Sequence, residues 1–185
     1  LLLIEFADEL VFGLGESAWP LIRRDLGLNY AQIGILLSVP GLLAAFFEPF
    51  FGIWADKGHK RWLVLAGGVG FVVATLVTGF SPTFAVLLLA FILFFPASGA
   101  FVSVSQAVLM DSDPQRMEQQ MARWTLAGSV GVVAGPILLA VLGWAGLSWR
   151  SGYMLVAVVA GLLVLAVSRT RFPRPQQSDG DEARP

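Results

Sequence analysis

Long apolar stretches broken by short polar turns dominate the chain. The runs cover 1–22, 31–54, 62–80, 84–110, 124–142 and 151–167, and Trp149 extends the last, which is the shortest. A helix rising about 1.5 Å per residue needs roughly 20 residues to cross the hydrocarbon of a bilayer, so six spans are predicted. They should be helices, because in lipid every backbone N–H and C=O must be satisfied within its own segment, and the runs lack the period-2 alternation of a membrane barrel. The predicted fold class is an all-α membrane protein, a six-helix transmembrane bundle over 1–168. A polar, proline-containing segment at 169–185 reads as a disordered cytosolic linker or tail.

Composition agrees: 56% of residues are hydrophobic, 14% are charged, and the mean hydropathy is +0.74. That is too apolar for a water-soluble domain of this length. If 1–22 starts in the cytosol, nine Lys and Arg residues fall in the inner turns and tail, and only Arg23, Arg24 and Arg150 in the outer ones. This bias predicts an integral protein of a bacterial inner or plasma membrane, with both ends of the segment cytosolic. The net charge of −1 gives no basic surface for nucleic acid. The chain has no Cys and a single His, His59, so neither a disulfide framework nor a metal centre is expected.

The first run carries the chemistry. Glu5, Asp8, Glu9 and Glu16 lie where an ionised side chain costs about 2.5–3.5 kcal/mol on insertion scales. At about 100° per residue they occupy one arc with Phe12 and Trp19, opposite Leu3, Leu10, Leu14 and Leu21. Asp8 and Glu9 stand roughly 5 Å to one side of the segment's midpoint, and Glu16 roughly 7 Å to the other. Acids held between helices can take up a proton and release it when their cavity opens to water, so this face is the predicted proton and substrate site. For Glu5 a solvated place at the cytosolic interface is equally open.

The second run repeats Gly34, Ser38, Gly41, Ala45, Glu48 and Gly52 at spacings of three and four, a small-residue stripe suited to close helix packing. Glu48 interrupts it with an acid one turn from the cytosolic end. Between the second and third runs stands the hairpin Gly52-Ile53-Trp54-Ala55-Asp56-Lys57-Gly58-His59-Lys60-Arg61. In it Gly52, Ala55, Asp56, Lys57, Lys60 and Arg61 match the motif of the major facilitator superfamily, roughly G-x-L-a-D-r-x-G-r-k, and the chain resembles the N-terminal six-helix half of such a transporter. It departs where the family has its second glycine, since His59 stands there and Gly58 comes one position early. The resemblance implies a cytosolic gate at Gly52, Asp56, Lys57, Lys60 and Arg61, joined by Glu48, in which the aspartate and basic residues bond across the two halves.

In the fifth run, Gly131-Val132-Val133-Ala134-Gly135-Pro136 resembles part of the antiporter motif of the same superfamily, with Leu139 and Ala140 in place of its terminal glycines. Ala127, Gly131 and Gly135 form a predicted small-residue ridge, and Pro136 permits a bend. The fourth run lacks the arginine that many proton-coupled members carry four residues before a glycine; Phe95 stands there, ahead of Gly99. Phe95, Gly99, Val102 and Gln106 share a face suited to an amphipathic substrate, with simple packing the alternative for Gln106. Asp113 is the expected N-cap of the next helix. Together with Trp19-Pro20-Leu21-Ile22 and Ala122-Arg123-Trp124-Thr125, this loop resembles the fosmidomycin-resistance type of drug efflux carrier.

The resemblance implies a secondary transporter needing no cofactor beyond a proton gradient, exporting a small amphipathic molecule by alternating access. Uptake of a small nutrient is the alternative. Its expected partners are the substrate, protons, membrane lipid and a second six-helix half of the same polypeptide, with a homodimer of six-helix chains the alternative. A non-transporting scaffold would not need four acids in one helix. An intramembrane hydrolase is disfavoured because the adjacent Asp8 and Glu9 diverge by about 100° instead of converging on one bond.

Overall fold

The computed structural model describes residues 1–170, apart from the side chain of Asp56. Residues 171–185, most of the expected linker or tail, and the Asp56 side chain with its expected gate role lie outside the described residues. The described chain forms six long helices: α1 (Leu2–Leu26), α2 (Tyr30–Trp54), α3 (Lys60–Phe80), α4 (Phe84–Ser112), α5 (Met117–Trp144) and α6 (Trp149–Ser168). Among the described residues there is no strand. Five helices are long and apolar enough to cross a membrane; α1 falls outside that group, and its carboxylates account for this.

Local chemistry sets the helix ends. Asn29 and Gln32 cap α2 reciprocally: Asn29 Oδ1 accepts from the Gln32 N–H at 2.9 Å, and Gln32 Oε1 from the Asn29 N–H at 3.0 Å. Thr83 Oγ1 accepts from the Val86 N–H at the start of α4. Asp113 does not cap α5 as expected. It precedes a single 3₁₀ turn, Pro114–Arg116, makes no side-chain capping bond, and lies 3.8 Å from Arg116. The helix α5 begins seven residues ahead of the apolar run, because Glu118, Gln119, Gln120 and Arg123 continue the helical backbone beyond the apolar stretch.

The packing seams join α1 to α5 and α6, α3 to α4 and α6, and α2 to α4. Leu14, Ala18 and Ile22 of α1, Phe71 of α3, Phe101 of α4 and Tyr153 of α6 form the centre of the core. Of the predicted ridge on α5, Gly131 and Gly135 are buried and Ala127 is only partly so, while Gly128 beside it is buried. A Cβ on Gly131 would stand 2.5 Å from the Phe6 carbonyl oxygen, and one on Gly135 would overlap the Leu14 backbone nitrogen, so glycine lets the two backbones touch. On α2 the expected small-residue stripe does not pack within this bundle. The buried positions are Leu36, Pro40 and Ala44, against α4, while Gly34, Gly41 and Gly52 look into open space.

At the α1, α3 and α6 ends opposite the hairpin, Arg150 ties three elements together. Its guanidinium is ion-paired with Asp25, donates to the Ser81 carbonyl at 2.8 Å, and lies over the Trp149 ring. Asp25 lies beyond the expected first span, and the Arg150 guanidinium beside it holds its carboxyl below the ordinary aspartate range.

Candidate functional site

The arc of α1 that bears the acids faces the gap between α4 and α5, two helices that scarcely touch. That gap divides the four carboxylates. Asp8 turns toward α4, where the Ser98 hydroxyl donates to Asp8 Oδ1 at 2.6 Å, and both side chains are buried. Glu5 turns toward α5: its Oε1 lies 2.7 Å from where a Cβ on Gly128 would be, and it is 8% exposed. The solvated interfacial place left open for Glu5 therefore does not hold within this bundle. Glu9 also leans on the α5 ridge, with Cγ 3.3 Å from that same point, and is half-buried. Glu16, two turns further on, is exposed.

Gln106 is not brought to these acids. It shares a face of α4 with Phe95, but lies eight residues beyond Ser98, about 12 Å along the helix. Its Nε2 contacts Met121 Sδ of α5 at 3.4 Å, joining the two helix ends.

What sequence reasoning missed is an aromatic wall. Phe12 meets Phe94 and Phe95 edge to face, with centroids 5.7 and 5.8 Å apart, and Trp19 meets Phe91 at 6.0 Å. These rings and Glu16 border a cavity of about 190 Å³ that Leu37 of α2 also lines. Phe95, which stands where a basic side chain was sought, is part of that wall. The signal was in the sequence as Phe12 and Trp19 on the acidic arc and a Phe-rich α4, but their convergence needs the tertiary fold.

At the hairpin end, Ala55–His59 forms a wide turn between α2 and α3, in which Gly58 has φ 87° and ψ 7°. This left-handed conformation suits glycine, so the shifted glycine sits where the turn requires it. Lys60 is ion-paired with Asp111 at the end of α4, and Arg61 Nη2 donates to the Ser168 carbonyl at 2.8 Å, closing the end of α6. Within this bundle those two cations bind their own half. Glu48, Gly52 and Lys60 border a cleft of about 330 Å³ with Phe51, Gly99 and Ser103, so Glu48 shares a cavity with Lys60. Lys57 is exposed. Gly131 and Gly135 pack on α1, and α5 runs unbroken through Pro136.

Similarity to known proteins agrees with this architecture. The fosmidomycin resistance protein of Escherichia coli (strain K12) is 24% identical over 88% of this chain and 40% of its own length. A probable sulfoacetate transporter of Cupriavidus necator is 30% identical over 77% of this chain and 33% of its own. A multidrug resistance protein of Escherichia coli O81 is 28% identical over 96% and 48%. The chain spans less than half the length of each of these relatives. The sequence model of the Major Facilitator Superfamily matches residues 1–185. With its apolar helices and that match over its whole length, this is an integral membrane chain that belongs to the Major Facilitator Superfamily.

Proposed function

We propose that the chain is one half of a secondary transporter that exports a small amphipathic molecule in exchange for protons. The observation that carries the reading is the juxtaposition on α1 of a buried acid, Asp8, with an aromatic-walled cavity bordered by a second acid, Glu16. An acid inside a membrane bundle is expensive and marks an ion or substrate path. Aromatic faces take the apolar part of an amphipath and attract a cationic one. In this reading Asp8, Glu9 and Glu16 exchange proton and substrate, while Glu5 supports Glu9 against α5.

The gate is the α2–α3 hairpin, with both ends of the segment cytosolic. A second six-helix half closes over the small-residue face of α2 and the open side of the α4–α5 gap. Drug-like substrates are favoured by the names of two relatives, the fosmidomycin and multidrug resistance proteins. Uptake is the second reading, favoured by Phe95 in place of a basic partner for a proton site.

The test is gradient-driven efflux of a drug panel that includes a phosphonate antibiotic, with and without Asp8→Asn and Glu9→Gln. Loss of efflux in well-expressed variants supports proton coupling on α1. Unchanged efflux removes it and leaves uptake or uniport in front.

A further inference from the structure

The outer face of α3 has a shape and chemistry that the transport reading does not use. Trp54 and Trp62, on the two sides of the hairpin, are 60% and 73% exposed. With Lys57, His59, Leu63 and Ala66 they wall a cleft of about 440 Å³. A second hollow of about 410 Å³ lies further along the same helix, between α3 and α6, lined only by apolar residues that include Val69, Val73, Gly161 and Leu162. A Cβ on Gly161 would meet nothing within 4 Å, so its floor is open. Trp62, Ala66, Val69 and Val73 fall within an arc of about 60° at 100° per residue, so one continuous stripe joins the two hollows. From Trp62 to Val73 is about 16 Å of helix, close to the roughly 15 Å depth of one leaflet's hydrocarbon.

We propose that this stripe is a binding site for one anionic phospholipid, its phosphate on Lys57 and His59 and an acyl chain laid along α3 into the groove against α6. The inference rests on the membrane reading above, and a cytosolic hairpin would set the site in the anionic leaflet. A free anion would have no use for the apolar walls, and a hydrocarbon alone would have no use for the cation; an amphipath with a negative head fits both. Lys60 and Arg61 are engaged with Asp111 and Ser168, while among the described residues Lys57 has no ion-pair partner. Tryptophan at both lips matches its preference for the headgroup level, and the anionic cytoplasmic leaflet supplies the complementary charge.

The test is native mass spectrometry of the detergent-purified protein titrated with phosphatidylglycerol and with phosphatidylcholine. The wild type should retain one phosphatidylglycerol in preference to phosphatidylcholine. Lys57→Ala with His59→Ala should cut that preference about fivefold or more, the worth of one cation near an anionic surface. Gly161→Trp sends its ring into the groove from a Cβ that meets no protein atom within 4 Å, and it should lower retention of both lipids alike while the melting temperature stays that of the wild type.

Unchanged headgroup preference in the double variant, or unchanged retention in Gly161→Trp, overturns the site. So does displacement of the lipid by millimolar glycerol phosphate, which would make it a soluble-anion site. Orientation is read separately by labelling a Gln115→Cys variant from either side of the membrane. Selective retention with labelling from outside would reverse the topology and still support the site.

Discussion

Replacing Gly131 by valine tests whether α1 and α5 are held at backbone contact. A Cβ there would stand 2.5 Å from the Phe6 carbonyl oxygen, 2.9 Å from Glu9 Cβ and 3.1 Å from the Leu10 nitrogen, where ordinary contact begins at 3.4 Å. Restoring contact means parting the helices by about 0.9 Å, the difference between 3.4 and 2.5 Å. Two of the three obstructing atoms are backbone, so no rotamer change relieves the clash. Overpacking of this kind costs about 1–3 kcal/mol, and the two valine methyls place it at the upper end. Valine's better helix propensity returns only about 0.4 kcal/mol. At about 2–4 °C per kcal/mol for a chain of this size, the melting temperature should fall by roughly 5–10 °C. The assay is a fluorescence-monitored melt in detergent, with Gly161→Val as the control in open space. A Gly131→Val protein that melts within a degree of wild type, or a control that falls as far, would refute the close-contact argument.

Arg150→Ala should destabilise the protein by about 1–2 kcal/mol, since it strips Asp25 of its ion pair and leaves the Ser81 carbonyl without its donor. Because the Asp25 carboxyl is held below its ordinary value of 3.8, that contribution is present in full above it and fades as the pH falls through the lowered value. The gap between wild type and variant in acid melts should therefore close below the ordinary value. Gly58→Ala forces a Cβ into the left-handed region and should cost about 1–2 kcal/mol in the same melt, with Gly58→Asn milder. Ser98→Ala should reduce gradient-driven efflux about tenfold through loss of a hydrogen bond to Asp8, and Ser98→Thr should recover most of it. Gly34→Val, whose Cβ meets no atom of this bundle within 4 Å, should still impair transport if a second half closes on α2.

The acidic face of α1 could be read from the sequence because a helical period needs only neighbouring residues. Its division could not, since Asp8 finds its partner 90 positions away and Glu5 lies against Gly128 on another helix. One member of the ridge on α5 differs for a related reason. Counting back from Gly131 by three or by four reaches Gly128 or Ala127, about 60° to one side of it or 40° to the other, and only the position of α1 decides between them. Gln106 shows what a helical wheel omits: it reports angle and discards height, so a side chain can share a face with Phe95 and lie level with the helix ends. The stripe on α2 was expected to pack closely, but periodicity does not say which neighbour a face meets, and within this bundle α4 packs on Leu36, Pro40 and Ala44 instead.

The union of α1 with α5 also has a consequence in time. Glu5 lies against Gly128, 123 positions later in the chain. At about 5–20 residues per second of synthesis, α1 waits roughly 6–25 s for the helix that covers two of its acids. During that interval the least lipid-compatible helix of the bundle has no α5 to shelter it. The vulnerable moment in this protein's life is therefore its biogenesis, and substitutions that weaken the α5 ridge should show first as lost yield in the membrane, before any defect in the mature protein can be measured.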